Sequence, residues 1–187
     1  IIENLAQKHI QNFDFTLTPP HNATPLYEDI ASFLNVEDLY QEVKANSTAM
    51  AKAFVPFCEN AIAQSAHPLL TATKTAVAGN VIDLASVMMY DLGEELDKIY
   101  HTAFAIDDFE ALVTTLQTTQ TLVYLADNAG EEIFDKLYIQ TLHSLSPNLE
   151  VFYFVRGNPI INDLTCKDAI ASAMNEVATI INSGVPT

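Results

Sequence analysis

The stretch that most limits how this chain can fold is residues 121–135, TLVYLADNAGEEIFD, followed at 150–155 by EVFYFV. Leu122, Val123, Tyr124 and Leu125 form the short apolar run expected of a strand covered on both faces. The run ends on Asp127-Asn128, turns at Ala129-Gly130 and passes into a helical pattern at Glu131, carried by Ile133, Phe134, Leu137, Ile139 and Leu142. Pro147-Asn148 makes a turn, and EVFYFV holds the aromatic and β-branched residues that suit a second strand. Strand, helix and strand this close together read as a βαβ unit. Its right-handed crossover sets both strands parallel and ends them at one sheet edge.

That edge is where open parallel sheets bind ligands. The helix entered at Gly130-Glu131 points its N-terminus there, an end that favours anions. The second strand runs into Arg156-Gly157-Asn158-Pro159, and its loop continues to Asn162-Asp163. Neighbouring parallel strands bring the two loops together. Asp127, Asn128 and Asp163 then make an oxygen-only set, suited to magnesium or manganese rather than zinc. A cation held there polarises a phosphoryl group and orients the attacking water. Arg156 and the helix end after Gly130 are placed to meet charge developing on a phosphate. Each cluster also has a plainer reading: Asp-Asn-x-Gly is a common turn, and Asn162-Asp163 suits a helix cap.

Everything before the first strand reads as helical. Residues 1–13 space Ile1, Ile2, Leu5, His9 and Phe13 along one face, with His9 on a packed side. A second helix is expected over 25–34. A third is expected over 36–64, with Leu39, Val43, Met50, Phe54 and Phe57 inward and a kink or split at Pro56. LLTATKTAVA forms a small-residue helix expected to stop at Gly79, its left-handed cap. In GNVID, Asn80 and Asp83 lie three apart and fit one helix face in a cleft, or Asn80 caps a helix while Asp83 is solvated. Ile106 to Glu110 resembles a helix start with Asp107 as cap. After the second strand, a helix is expected over 165–175 and a third strand over 176–181. The division that follows is a helical part at 1–105 and an α/β part at 106–187.

The chain carries 24 acidic against 8 basic residues, a formal charge of −16. That balance argues against a sequence-independent nucleic-acid surface, which needs Lys/Arg clusters. A phosphorylated substrate would approach against the overall field, which a bound cation offsets locally. No run approaches the length of a membrane helix, and IIENLAQKHI does not read as a signal peptide. Cys58 and Cys166 lie far apart without CxxC spacing, so the default expectation is two buried thiols in a cytoplasmic protein. A disulfide between them stays open, as does the oligomeric state.

Taken in order, AGNVID, DNAGEEIFDKL and VRGNPIINDLT resemble the DUF89 family, also called the ARMT1-like or damage-control phosphatase family. FAIDDFEAL and TPPHNATPLYEDI are similar to its microbial members as well, so the resemblance covers nearly the whole chain. It implies a helical N-terminal part packed on a Rossmann-like, three-layer α/β domain with a mainly parallel sheet. It also implies a metal-dependent phosphatase of small phosphorylated metabolites, sugar phosphates among them. Asp127, Asn128 and Asp163 match the family's metal ligands, holding one divalent cation (manganese, magnesium, nickel or cobalt), with Asp127 and Asp163 as the catalytic pair. Asn80 and Asp83 match its pocket-lining Gly-Asn-x-x-Asp motif. Gly130, Glu131, Arg156 and Asn162 fall within the other two motifs, on the substrate side. The sequence stops before a further strand and a late Lys/Gly/Asn-containing motif, and it lacks an initiating Met and a Cys-bearing N-terminal motif. The expectation is therefore a fragment, a processed chain or the ordered part of a longer one, with the α/β part incomplete at its C-terminus. Two alternatives accompany the phosphatase reading. One is a protein carboxyl methyltransferase, against which the lack of a glycine-rich nucleotide loop speaks. The other is a non-catalytic protein that binds metal or metabolite.

Overall fold

The computed structural model describes residues 2–85 and 92–184; for residues 2, 81–85, 92, 93 and 95 it describes the backbone alone. Helices come first: α1 (Ile2–Gln11), α2 (Pro19–Leu34), α3 (Gln41–Gln64), α4 (Pro68–Ala85), α5 (Leu92–His101) and α6 (Phe109–Leu116). The α/β segment follows as β1 (Thr121–Leu125), α7 (Glu131–Leu145), β2 (Glu150–Val155), α8 (Cys166–Ala171) and β3 (Thr179–Asn182). The sheet has the order β1-β2-β3, and both pairings are parallel. The β1–α7–β2 unit matches the bounds its apolar runs suggest. The helix expected over 165–175 is shorter and gives way to a 3-10 turn at Met174–Glu176, because Ala173 adopts a left-handed φ of 55°.

Two successive right-handed crossovers that step the same way across a sheet place both helices on the same face. Val151, Tyr153 and Val155 accordingly point into a core shared with Tyr138, Ile139 and Leu142 of α7, Ala169 of α8 and Ala72 of α4. A second cluster joins Ala51 and Cys58 of α3 and Ala78 of α4 to Ile133, Phe134 and Leu137 of α7. Helix α7 is thus sandwiched between the sheet and the α3/α4 pair. Burying a side chain such as Phe134 stabilises the fold by about 1.5–3 kcal/mol.

The opposite face of the sheet carries Val123, 57% exposed, and Leu125, 74% exposed. The expectation that β1 is covered on both faces is therefore corrected: among the described residues, nothing buries its outward side. The apolar run alone could not reveal this, because coverage of the second face depends on where the crossover helices go.

Several helical expectations are corrected too. Helix α2 starts earlier, with Pro19-Pro20 in its first turn, where a missing N–H costs nothing. Helix α3 runs unbroken through Pro56. Its inward face is not the apolar one read from sequence. Val43, Met50 and Phe57 are exposed, whereas Lys44, Ser47, Ala51 and Cys58 are buried. Helix α4 does not stop at Gly79 but continues to Ala85, so Asn80 lies inside it and caps nothing. Gly79 is needed for close approach: a Cβ there would sit 3.3 Å from Cα, Cβ and Cγ of Glu131. At α6 the N-cap is Asp108, while the Asp107 carboxylate accepts the Phe109 N–H at 3.1 Å. His9 packs as expected and shares Asp29 with Lys8, at 2.8 and 2.9 Å. Both cysteines are free thiols, Cys58 buried and Cys166 half-buried. No helix among the described residues is long and apolar enough to cross a membrane.

Candidate functional site

The two loops leaving β1 and β2 are stitched together by backbone hydrogen bonds. The Leu164 N–H donates to the Asp127 carbonyl at 2.8 Å, and the Ala129 N–H donates to the Asn162 carbonyl at 2.9 Å. Asn128 and Asp163 consequently form an isolated antiparallel bridge, with Arg156 and Thr165 bridged in parallel beside them. Asp127, Asn128, Asn162 and Asp163 therefore meet at the carboxyl edge of the sheet, where an open parallel sheet presents its loops.

The side chains divide the work. Asp163 is 8% exposed, and its Oδ2 accepts from Arg156 Nε at 2.6 Å. Asp127 is exposed at the tip of β1. The Asn128 amide donates to Glu131 Oε1 at 3.0 Å, which commits its nitrogen and directs its oxygen elsewhere. Glu131 is in turn held against Gly79, so the second half of AGN is built into this site by packing. Asn80, the next residue, is exposed on α4; the Asp83 side chain lies outside the described residues. Two of the groups expected to face a phosphate also have partners within the chain. Arg156 Nε pairs with Asp163 while its side chain stays 40% exposed, and the Gly130 N–H at the start of α7 is engaged. Gly130 donates its N–H to Glu132 Oε2, and the Glu131 N–H donates to the Asn128 carbonyl at 3.2 Å. The N-cap N–H of α7 is thus engaged by a buried carboxylate of this chain.

Residues that sequence reasoning missed build the frame. Gly130 has φ 107°, and a Cβ there would lie 3.1 Å from Ser47 Cβ, so α3 presses directly on the turn. Thr48 Oγ1 and Ser172 Oγ both donate to Glu132 Oε1, at 3.0 and 2.7 Å. Lys44 Nζ bonds Asp38 Oδ2 and Asp168 Oδ2, each at 2.6 Å, and reaches the Asp163 carbonyl at 3.5 Å. Burial opposes the Lys44 charge, but its bonds to Asp168 and Asp38 outweigh that and hold the amine above its usual range. Asp168 also closes a capping box with Thr165, which starts α8 immediately after the loop. The available signal was Lys44, Ser47 and Thr48 at i, i+3 and i+4, a polar stripe on one helix face. One turn into α7, Asp135 accepts from Tyr124 on β1 and from Tyr153 on β2, the latter at 2.6 Å.

Chemically, the donor set fits a hard cation. Among the described residues no three His, Cys, Asp or Glu side chains gather as a metal site. The donors on offer are the Asp127 and Asp163 carboxylates and the Asn128 amide oxygen, a set that leaves positions for water and phosphate oxygens. A cavity of about 390 Å³ opens beside the second loop, between Tyr27 and Tyr40 on one side and Asn158 to Ile161 on the other.

Known proteins are similar to this chain in sequence and fold. A damage-control phosphatase of Pyrococcus horikoshii is 29% identical over 160 residues, 85% of this chain and 54% of that protein. A damage-control phosphatase of Archaeoglobus fulgidus is 29% identical over 172 residues, 90% of this chain and 58% of that protein. The crystal structure of a DUF89 family protein from Pyrococcus horikoshii matches with a TM-score of 0.76 at 27% identity, over 88% of this chain and 57% of that one. The chain therefore spans a little over half the length of these relatives. The family model of the damage-control phosphatase ARMT1-like domain matches residues 1–187, and this chain belongs to that family.

Proposed function

We propose that this chain carries the divalent-cation site of a phosphatase acting on small phosphorylated metabolites such as sugar phosphates. The observation that carries the proposal is the pair of loop-to-loop hydrogen bonds that set Asp127-Asn128 against Asn162-Asp163. Asp127, Asn128 and Asp163 would hold the cation, and manganese, magnesium, nickel and cobalt all suit such oxygens. When bound, a cation there polarises the phosphoryl oxygens and lowers the pKa of its water. The Asp163 carboxylate is fixed in orientation by Arg156 Nε. Asp127, exposed at the strand end, is the carboxylate placed to take the proton from an attacking water. Asn80, exposed on α4 next to the Gly79 that packs against Glu131, would line the substrate pocket. The names of the relatives agree with this reading.

The test is phosphate release from a panel of sugar phosphates, with each of the four cations and with chelator. Turnover should need a cation and should vanish in Asp127→Ala and in Asp163→Ala. Turnover equal to wild type in both variants rejects the site.

A further inference from the structure

We infer that Glu132 is the positioning residue of the cation turn, an inference that rests on the cation site proposed above. Glu132 is 1% exposed, yet it sits in the first turn of α7 beside the apolar Ile133 and Phe134. A carboxylate taken out of water is costly unless its oxygens are bonded. Here Thr48 Oγ1 and Ser172 Oγ donate to Oε1, while the Gly130 N–H donates to Oε2. These donors come from three separate places: α3, the C-cap of α8 and the turn itself. Gly130 lies two residues after Asn128, and α8 opens two residues after Asp163, at its cap Thr165. Glu132 therefore ties the Asp127-Asn128 turn to α3 and to the far end of the helix that follows Asp163. Ser47 closes the grip, since it leaves Gly130 no room for a side chain. The positive end of α7 favours the charge that does this.

A residue that only stabilised the helix end would lower the melting temperature and leave the loops in register. A positioning residue changes the ligands' geometry, and a side chain of the same shape restores it. Gln at 132 meets that condition. Its oxygen can accept the Gly130 N–H, while its amide donates to the Thr48 and Ser172 hydroxyls, whose protons rotate away.

The experiment measures manganese affinity by electron paramagnetic resonance and the exchange rates of the Ala129 and Leu164 amides by NMR. It compares wild type, Glu132→Ala, Glu132→Gln and the double variant Thr48→Val/Ser172→Ala. Glu132→Ala should weaken manganese binding by about tenfold or more and speed both amides, with Glu132→Gln within about threefold of wild type. If Glu132→Ala does not fold, the double variant carries the same expectation. Unchanged affinity and exchange in the alanine or double variant overturns the inference, as does Glu132→Gln impaired as badly as Glu132→Ala. If wild type binds no manganese, the cation reading has failed, and the two amide exchange rates alone decide the role of Glu132.

Discussion

Replacing Gly130 by alanine tests the turn at its tightest point. Gly130 is the N-cap of α7 with φ 107° and ψ −38°, a region in which an L side chain is strained by about 1–3 kcal/mol. A Cβ would also lie 3.1 Å from Ser47 Cβ and 3.2 Å from Ser47 C and O. Two of those atoms are backbone, so α3 itself has to shift, and such overpacking costs about 1–3 kcal/mol. The stiffer unfolded chain returns only about 0.4–1 kcal/mol. The net expectation is a loss of about 3 kcal/mol, read as a lower urea midpoint at unchanged m-value. Gly184→Ala serves as the control. Its φ is 71° but nothing lies within 4 Å, so it isolates backbone strain near the chain end and should cost no more than about 1 kcal/mol. Gly130→Ala within about 0.5 kcal/mol of wild type would refute both the strain and the contact with Ser47.

Other outcomes follow from the same structure. Burial raises the Asp135 carboxyl to about 7 from 3.8, against the pull of its bonds from Tyr124 and Tyr153. The folded state then holds this proton more tightly than the unfolded chain. Its contribution is full below the unfolded value and is lost as pH rises through about 7. Between those limits, urea stability should fall more steeply with rising pH in wild type than in Asp135→Asn; parallel curves would refute the assignment. Lys44→Met leaves Asp38 and Asp168 facing each other without the amine and should cost about 3 kcal/mol in urea unfolding, partly recovered by adding Asp168→Asn. Ala173→Gly relieves a left-handed residue directly after the α8 C-cap and should raise stability by about 1 kcal/mol; a loss would show that the alanine methyl packs usefully.

How far the sequence could be read depended on whether a feature was local. β1, α7 and β2 were legible because each is an uninterrupted apolar or amphipathic run closed by turn residues. The meeting of Asp127-Asn128 with Asn162-Asp163 was legible because parallel topology dictates where strand ends go. The phase of α3 was not. Hydrophobic periodicity assumes that the buried face is apolar, and here the face turned inward holds Lys44, Ser47 and Thr48, whose partners lie far along the chain. Gly79 misled for a related reason. A glycine that ends a helix and one that lets another backbone approach look the same until Glu131 is seen against it. Glu132 and Asp135 carry no signal of burial in the sequence. Only the packing of α7 between the sheet and α3/α4 buries both.

The disposition of charge bears on the cation proposed for this site. Asp127, Glu131, Glu132 and Asp163 lie near the strand ends, where Arg156 Nε bonds Asp163 and Lys44 bonds Asp38 and Asp168. The N-cap N–H of α7 is bonded to Glu132. A phosphorylated molecule brought here meets carboxylates of its own sign at distances where salt screens little. A divalent ion held by Asp127 and Asp163, as proposed, would reverse that balance locally and give the phosphate oxygens something to bind. On this reasoning the ion governs substrate affinity as well as turnover. Its removal should weaken equilibrium binding of a sugar phosphate, read as a raised Kd by calorimetry, whereas neutralising Arg156 with Arg156→Gln should act through the orientation of Asp163 and lower kcat first in the cation-loaded protein.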